Sequence, residues 1–203
     1  MQVPQRQIRA RFTETTLTVY QAYPPEIAAA ALAAGRFCPP FRRGRMTWIK
    51  PSFRWMMYRC GWATKPGQER VLAVELTRAG FEWALGRACP TSPDPARHAD
   101  RAAWAAWARE LKRSDVRVQW DPERSLRLAP LSYRSLQLGL ARAAADRYVD
   151  EWVVGLTDVT ATAREIRALL DAGDDRAAAA LLPDERPYPL PAGPAATIGA
   201  TPS

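Results

Sequence analysis

Residues 42–59 read Arg42-Arg43-Gly44-Arg45-Met46-Thr47-Trp48-Ile49-Lys50-Pro51-Ser52-Phe53-Arg54-Trp55-Met56-Met57-Tyr58-Arg59. Cations are interleaved there with indole, phenyl, phenol and thioether side chains around one proline. Guanidinium and ammonium groups hold phosphate, and ring faces stack on a base or receive a cation. The mixture predicts a basic site for an anionic, stackable ligand: a nucleotide, DNA or RNA.

Lys50 and Ser52 flank Pro51 at an expected strand-to-helix corner, where their donors would join free backbone N–H groups on one anion. Arg54 follows one turn into the helix, and Trp48, Phe53 and Trp55 crowd the same corner. The plainer reading makes Lys50 a solvated charge and Ser52 a helix cap. A second corner, Tyr20-Gln21-Ala22-Tyr23-Pro24-Pro25-Glu26, offers polar groups at another helix start, or else two core tyrosines. A third group, Gln119, Asp121, Glu123, Arg124, Arg134, Ser135 and Gln137, could orient a sugar hydroxyl or a nucleophile. Asp121-Pro122 otherwise reads as a turn. Gln137 lies between Leu136 and Leu138, so on a strand its amide points away from its apolar neighbours. Glu75 reads as the solvent-facing position of an alternating strand.

Several chemistries are disfavoured. His98 is the single histidine and reads as a helix start or a surface residue. A histidine-based metal site lacks ligands, and no metal is expected. Cys38, Cys60 and Cys89 form no CxxC pair, so neither a zinc knuckle nor a disulfide framework is indicated. No GxGxxG or GxxxxGK[ST] occurs. No leader-like apolar region and no apolar run of membrane-spanning length is found, so a cytoplasmic protein without a membrane partner is expected. The formal net charge is +8, and of 29 cationic side chains only Lys50, Lys65 and Lys112 are lysines. A GC-rich genome alone would enrich arginine, but it explains the cluster at 42–59 less well.

The length of 203 residues suits one domain. Strands are expected at 8–12, 17–23, 46–50, 71–76, 116–120, 133–140 and 152–156, from β-branched and aromatic runs. Helices are expected at 25–34, 51–61, 81–87, 98–113, 141–150 and 161–172. Pro24-Pro25-Glu26 starts the first, and Gly35 ends it. Thr77 is an expected N-cap. Residues 1–183 are expected to form one globular domain, and residues 184–203, rich in Pro, Ala, Gly and Thr, a disordered tail. The irregular mixture of elements predicts an α+β fold with two small mixed or antiparallel sheets and flanking helices.

The segments VYQAYPPEIA (19–28), RMTWIKPSFRWMMYRCGWATK (45–65), GQERVLAVELTRAGFEWAL (67–85), VRVQWDPER (116–124), YRSLQLGL (133–140) and YVDEWVVGLTDVT (148–160) resemble an uncharacterised, mostly bacterial domain-of-unknown-function family. That resemblance implies no activity. More weakly, Tyr20 to Phe37 resembles the opening of ADP-ribosyltransferase-like folds: a strand ending in Tyr and a polar residue, a helix, then Gly35 and an aromatic. That resemblance implies an ADP-ribosyltransferase-like fold binding NAD between two sheets. It places key residues at Gln21, where such enzymes carry His or Arg, then at Ser52 or Trp48, then at Gln137 or Glu123. Lys50, Arg54 and Arg9 or Arg11 would hold the pyrophosphate, and Trp48 or Tyr20 would stack on nicotinamide. Gln137 or Glu123 would orient the ribose or the acceptor, which the arginine excess suggests is nucleic acid. The alternatives are a non-catalytic nucleic-acid-binding module and a small-ligand sensor or structural protein with core tryptophans.

Overall fold

In a computed structural model, residues 3–94 and 99–201 are described. The order is β1 (Arg9–Ala10), β2 (Thr16–Tyr23), α1 (Pro25–Ala34), β3 (Thr47–Ile49), α2 (Phe53–Cys60), β4 (Arg70–Thr77), α3 (Arg78–Leu85), β5 (Cys89–Pro90), α4 (Arg101–Arg113), β6 (Val116–Arg124), β7 (Pro130–Leu140) and α5 (Arg142–Arg147). A π-helical turn, Tyr148–Trp152, follows. Then come β8 (Val153–Asp158), α6 (Thr160–Asp171), α7 (Asp175–Ala180), β9 (Arg186–Pro187) and α8 (Ala192–Ile198). The expected helix start at His98 falls outside the described residues. None of the described helices is long and apolar enough to cross a membrane.

Among the described residues the architecture is α+β with three small sheets, not two as expected, because the C-terminal segment adds a strand pair. One is antiparallel, ordered β2-β4-β8, and one is mixed, ordered β3-β7-β6-β5 with β5 parallel to β6. The third pairs β1 with β9. The two larger sheets touch at one bridge, where the Tyr20 N–H donates to the Lys50 carbonyl at 2.7 Å.

The two-residue period of strands places the core. Leu17 and Val19 of β2, Leu72, Val74 and Leu76 of β4, Val116 and Val118 of β6, and Leu136, Leu138 and Leu140 of β7 share one apolar core between the sheets. The other face of β2 and β4 carries Tyr20 and Val71. It meets Met56 and Met57 of α2 and Ile166 of α6 in a second cluster. Both faces of β2 are therefore covered, which explains its near-continuous burial. Helix α1 brings Ala28 and Ala31 into the first core, small enough for close approach, and ends at Gly35 with φ of 64°. Helix α2 is capped by Ser52, whose Oγ accepts from the Trp55 N–H, and ends at Gly61 with φ of 60°.

Three further expectations are corrected. Asp121-Pro122 is not a turn: β6 runs on to Arg124. Strand β5 pairs only with Arg117 and Val118, so the outer edge of β6 is free where Pro122 lacks its N–H. The register slips between Pro122 and Arg124, and Glu123 is buried. The helix expected over 141–150 instead gives way at Tyr148 to the π-helical turn. Residues 184–201, expected to be a disordered tail, are anchored. Strand β9 pairs with β1, and Tyr188 and Ile198 are buried. The Tyr188 hydroxyl donates to Glu82 and accepts from Arg78, and the Trp120 indole N–H donates to the Ile198 carbonyl. A few spaced anchors order this segment without any hydrophobic period.

Gln21 ends the core face of β2. Its Nε2 donates to Thr47 Oγ1 at 2.8 Å and to the Trp48 carbonyl at 3.1 Å, and its Oε1 accepts from the Tyr148 hydroxyl at 2.5 Å. This side chain ties β2 to β3 and to the π-helical turn. Tyr148→Phe leaves a buried amide oxygen without its donor and should cost about 1–3 kcal/mol in urea unfolding. An unchanged midpoint would mean that the tie contributes nothing.

Candidate functional site

The outer face of the four-stranded sheet presents the residues that the inner face excludes. In register, Trp48 lies opposite Gly139, and Gln137 opposite Gln119. Trp48, Lys50, Gln119 and Gln137 face a cleft of about 790 Å³. Its walls come from the end of β2, from residues 40–46, from α2 through Trp55, Met56 and Arg59, and from residues 66–68. Gly139 lets the Trp48 ring lie across β7, since a Cβ there would meet that ring at 3.0 Å and Met46 Sδ at 2.7 Å.

Lys50 dominates the electrostatics. It is 4% exposed, and its Nζ sits 4.7 Å from the centre of the Trp55 ring. Among the described residues its ammonium makes no hydrogen bond and no ion pair, and the nitrogen itself is not sealed off from the cleft. Burial, reinforced by the Arg59 charge and opposed by Asp121, brings its pKa down to about 7. Arg42, Arg45 and Arg59 add exposed guanidinium groups to the cleft. The Trp55 indole N–H is buried and has no acceptor. The buried indole N–H lacks an acceptor, and the mostly buried lysine beside it has no carboxylate paired to it; both gain from a ligand that supplies oxygen atoms.

The sheet supplies directional acceptors. Gln119 Nε2 donates to Asp121 Oδ1 at 2.8 Å, and Gln137 Nε2 to Asp121 Oδ2 at 2.7 Å. An ionised carboxylate only accepts, so it holds both amide nitrogens and frees both amide oxygens. Those oxygens belong to cleft-lining residues and can take hydroxyl donors from a ligand.

The structure separates the residues singled out from sequence. Gln21, Trp48, Lys50 and Gln137 line this cleft, although both N–H groups of the Gln21 amide and one acceptor position of its oxygen are already engaged within the fold. The other six do not. Ser52 is 1% exposed, and its hydroxyl donates to Glu123 Oε1 at 2.9 Å. Glu123 is buried and also accepts from the Arg124 N–H. Arg54 reaches the Tyr133 hydroxyl at 3.5 Å. Tyr20 points to the opposite face of β2 from Gln21 and packs edge-on against Phe53, with centroids 5.2 Å apart. Arg9 donates to Gln7 and to the Glu185 carbonyl, and Arg11 lines a separate cavity of about 360 Å³ beside Tyr20.

The α2 N-terminus is therefore not an open anion site. Glu185 Oε1 already accepts from the Phe53 N–H at 2.6 Å, next to Glu123 and Ser52. Glu185 keeps part of its surface in solvent while its carboxyl turns inward. Burial, with the Glu123 charge, pushes that carboxyl up to about 8 against the Phe53 N–H. No sequence pattern marked Glu185 or Tyr148. Gly139 carried a weak signal, a glycine inside a strand. Among the described residues no group of three or more His, Cys, Asp or Glu is placed to hold a metal.

Two opposing pH slopes follow. Folded Glu185 keeps its proton to about pH 8, while the unfolded chain releases it near 4.5, so stability should fall as pH rises between those values. Unfolded Lys50 keeps its proton to 10.5 and folded Lys50 only to about 7, so its contribution to stability should rise with pH across that window. Urea midpoints across pH should lose the first slope in Glu185→Gln and the second in Lys50→Met.

A search of curated proteins and a search of solved structures each returned no match. A family model, the domain of unknown function DUF4291, matches residues 7–188. This span takes in both larger sheets, the whole cleft and the Glu185 anchor, and the chain belongs to the DUF4291 family.

Proposed function

We propose that the cleft binds NAD and that the protein transfers ADP-ribose from it to an acceptor. The observation that carries this reading is Lys50, a mostly buried lysine without an ion-pair partner among the described residues, its ammonium over the Trp55 ring within a cleft that also holds Arg42, Arg45 and Arg59. A pyrophosphate would supply the missing oxygens, and Trp48 or Trp55 a face for a heteroaromatic ring. The freed amide oxygens of Gln119 and Gln137 suit ribose hydroxyls.

Departure of nicotinamide breaks one C–N bond through an oxocarbenium-like state. Such a step needs positioning and electrostatic support more than proton transfer. The Asp121 carboxylate, held by both amides, provides negative charge at this sheet face. Of the residues proposed from sequence, Lys50 and Trp48 keep ligand-binding roles and Gln137 a positioning role. Gln21 acts through the fold. Ser52, Arg54, Tyr20, Glu123, Arg9 and Arg11 take no part in this cleft.

A second reading, nucleic-acid binding without turnover, has its own support. Tyr58 is 41% exposed beside the cleft wall, with the Arg124 guanidinium 3.5 Å and the Lys65 ammonium 5.9 Å from its ring. Such a cationic aromatic ledge suits a single strand.

Incubation with NAD and mixed protein, DNA and RNA acceptors, followed by mass spectrometry, decides between them. The expected outcome is released nicotinamide and an acceptor heavier by ADP-ribose. Gln137→Leu should lower turnover by about 10- to 1000-fold, the range for losing a positioned polar group, with little change in the urea midpoint. No nicotinamide release, together with salt-steep oligonucleotide binding, would favour the second reading.

A further inference from the structure

Lys50 is an exception in this chain. It is one of three lysines among 29 cationic side chains, and the only one of the three that is buried. If the cleft needed only a fixed positive charge over an indole, arginine would serve, and this sequence uses arginine almost everywhere else. Arginine cannot become a neutral amine, whereas lysine can. A lysine amine becomes nucleophilic when it is desolvated or set beside another cation. Both conditions hold here: the side chain is 4% exposed, and Arg59 of α2 lines the same cleft and acts on it.

Neighbouring charges do not cancel this. Asp121 of β6 attracts the ammonium, but its oxygens accept from Gln119 and Gln137 rather than from Lys50. From the loop before β3, Arg42 and Arg45 reinforce the positive field. The resulting pKa of about 7 leaves a substantial share of neutral amine at neutral pH.

We propose that Lys50 is a nucleophile that condenses with the carbonyl carbon of an anionic aldehyde or ketone held in this cleft. The nitrogen lone pair forms the C–N bond and gives a carbinolamine. The carbinolamine then loses its oxygen as water, taking both hydrogens of the neutral amine, and an imine remains. No oxidant, reductant or metal is required. The flanking guanidinium groups select an anionic substituent, and the indoles favour a flat one. The inference shares the anionic-ligand cleft with the proposed function but does not depend on ADP-ribose transfer.

Pyridoxal 5′-phosphate is a suitable probe, being an aromatic aldehyde with a phosphate. The full chain is incubated with it at pH 7, reduced with borohydride and mapped by peptide mass spectrometry. Lys65 and Lys112 are internal references, so no variant is needed for the primary result. The adduct should form on Lys50 at least about tenfold faster than on either, because an ordinary lysine is almost wholly protonated at that pH. Pyridoxal without phosphate should label Lys50 more slowly, and excess inorganic pyrophosphate should protect it. In Lys50→Arg, which keeps the charge, the fast adduct should vanish. Label spread evenly over the three lysines, or no label on Lys50, would overturn the proposal. So would unchanged labelling in the presence of pyrophosphate. NAD turnover with no imine would leave the proposed function standing alone, and an imine without NAD turnover would do the reverse.

Discussion

Among the described residues one backbone hydrogen bond, Tyr20 N–H to Lys50 C=O, bridges the two main sheets and fixes where the lysine can go. With the carbonyl of Lys50 held against β2, its side chain follows the alternation of β3 onto the face shared with Trp48. Residues Thr47 and Ile49, one step away on the strand, are buried on the inner side. The same bridge sends Tyr20 to the second core and leaves Gln21 to tie β2 to β3. The cleft is thus the outer face of one sheet, walled where the second sheet and α2 meet it. The lysine is mostly buried because the fold requires the backbone there, and among the described residues no carboxylate pairs with its ammonium, although the Asp121 charge acts on it.

Anion-binding capacity is divided unequally between two neighbouring places. At the start of α2 the chain satisfies its own donors: Ser52 caps, Glu185 accepts from Phe53, and Glu123 receives the Ser52 hydroxyl. A few residues away the cleft holds cations and an orphan indole N–H with no internal acceptor. Internal carboxyl groups close the first position, whereas the second has no such partner among the described residues. This contrast is why the site is assigned to the sheet face and not to the helix terminus.

Much of the fold could be read from local pattern. Strand β2, helix α1 with its Pro25 start and Gly35 stop, the Thr77 cap and the amide of Gln137 follow from period and capping chemistry. What misled was non-local. Asp121-Pro122 reads as a turn until one knows that the outer edge of β6 is free. Residues 184–201 look structureless because their anchors are isolated, and each finds its partner far along the chain. Lys50 and Ser52, two residues apart, looked like one site. The strand-to-helix corner between them turns one toward the cleft and the other toward Glu123. Tyr20 and Gln21 diverge likewise by the alternation of β2.

The central claim is that Lys50 lacks a counter-ion because a ligand supplies it. The most direct measurement is an NMR titration of the Lys50 side chain, using selectively labelled lysine, without and with excess inorganic pyrophosphate. The account predicts a pKa near 7 in the free protein, and a clear upward shift when the anion binds, since a nearby negative charge favours the ammonium. A free-protein value close to that of ordinary lysine, or one that pyrophosphate and NAD both leave unmoved, would contradict it.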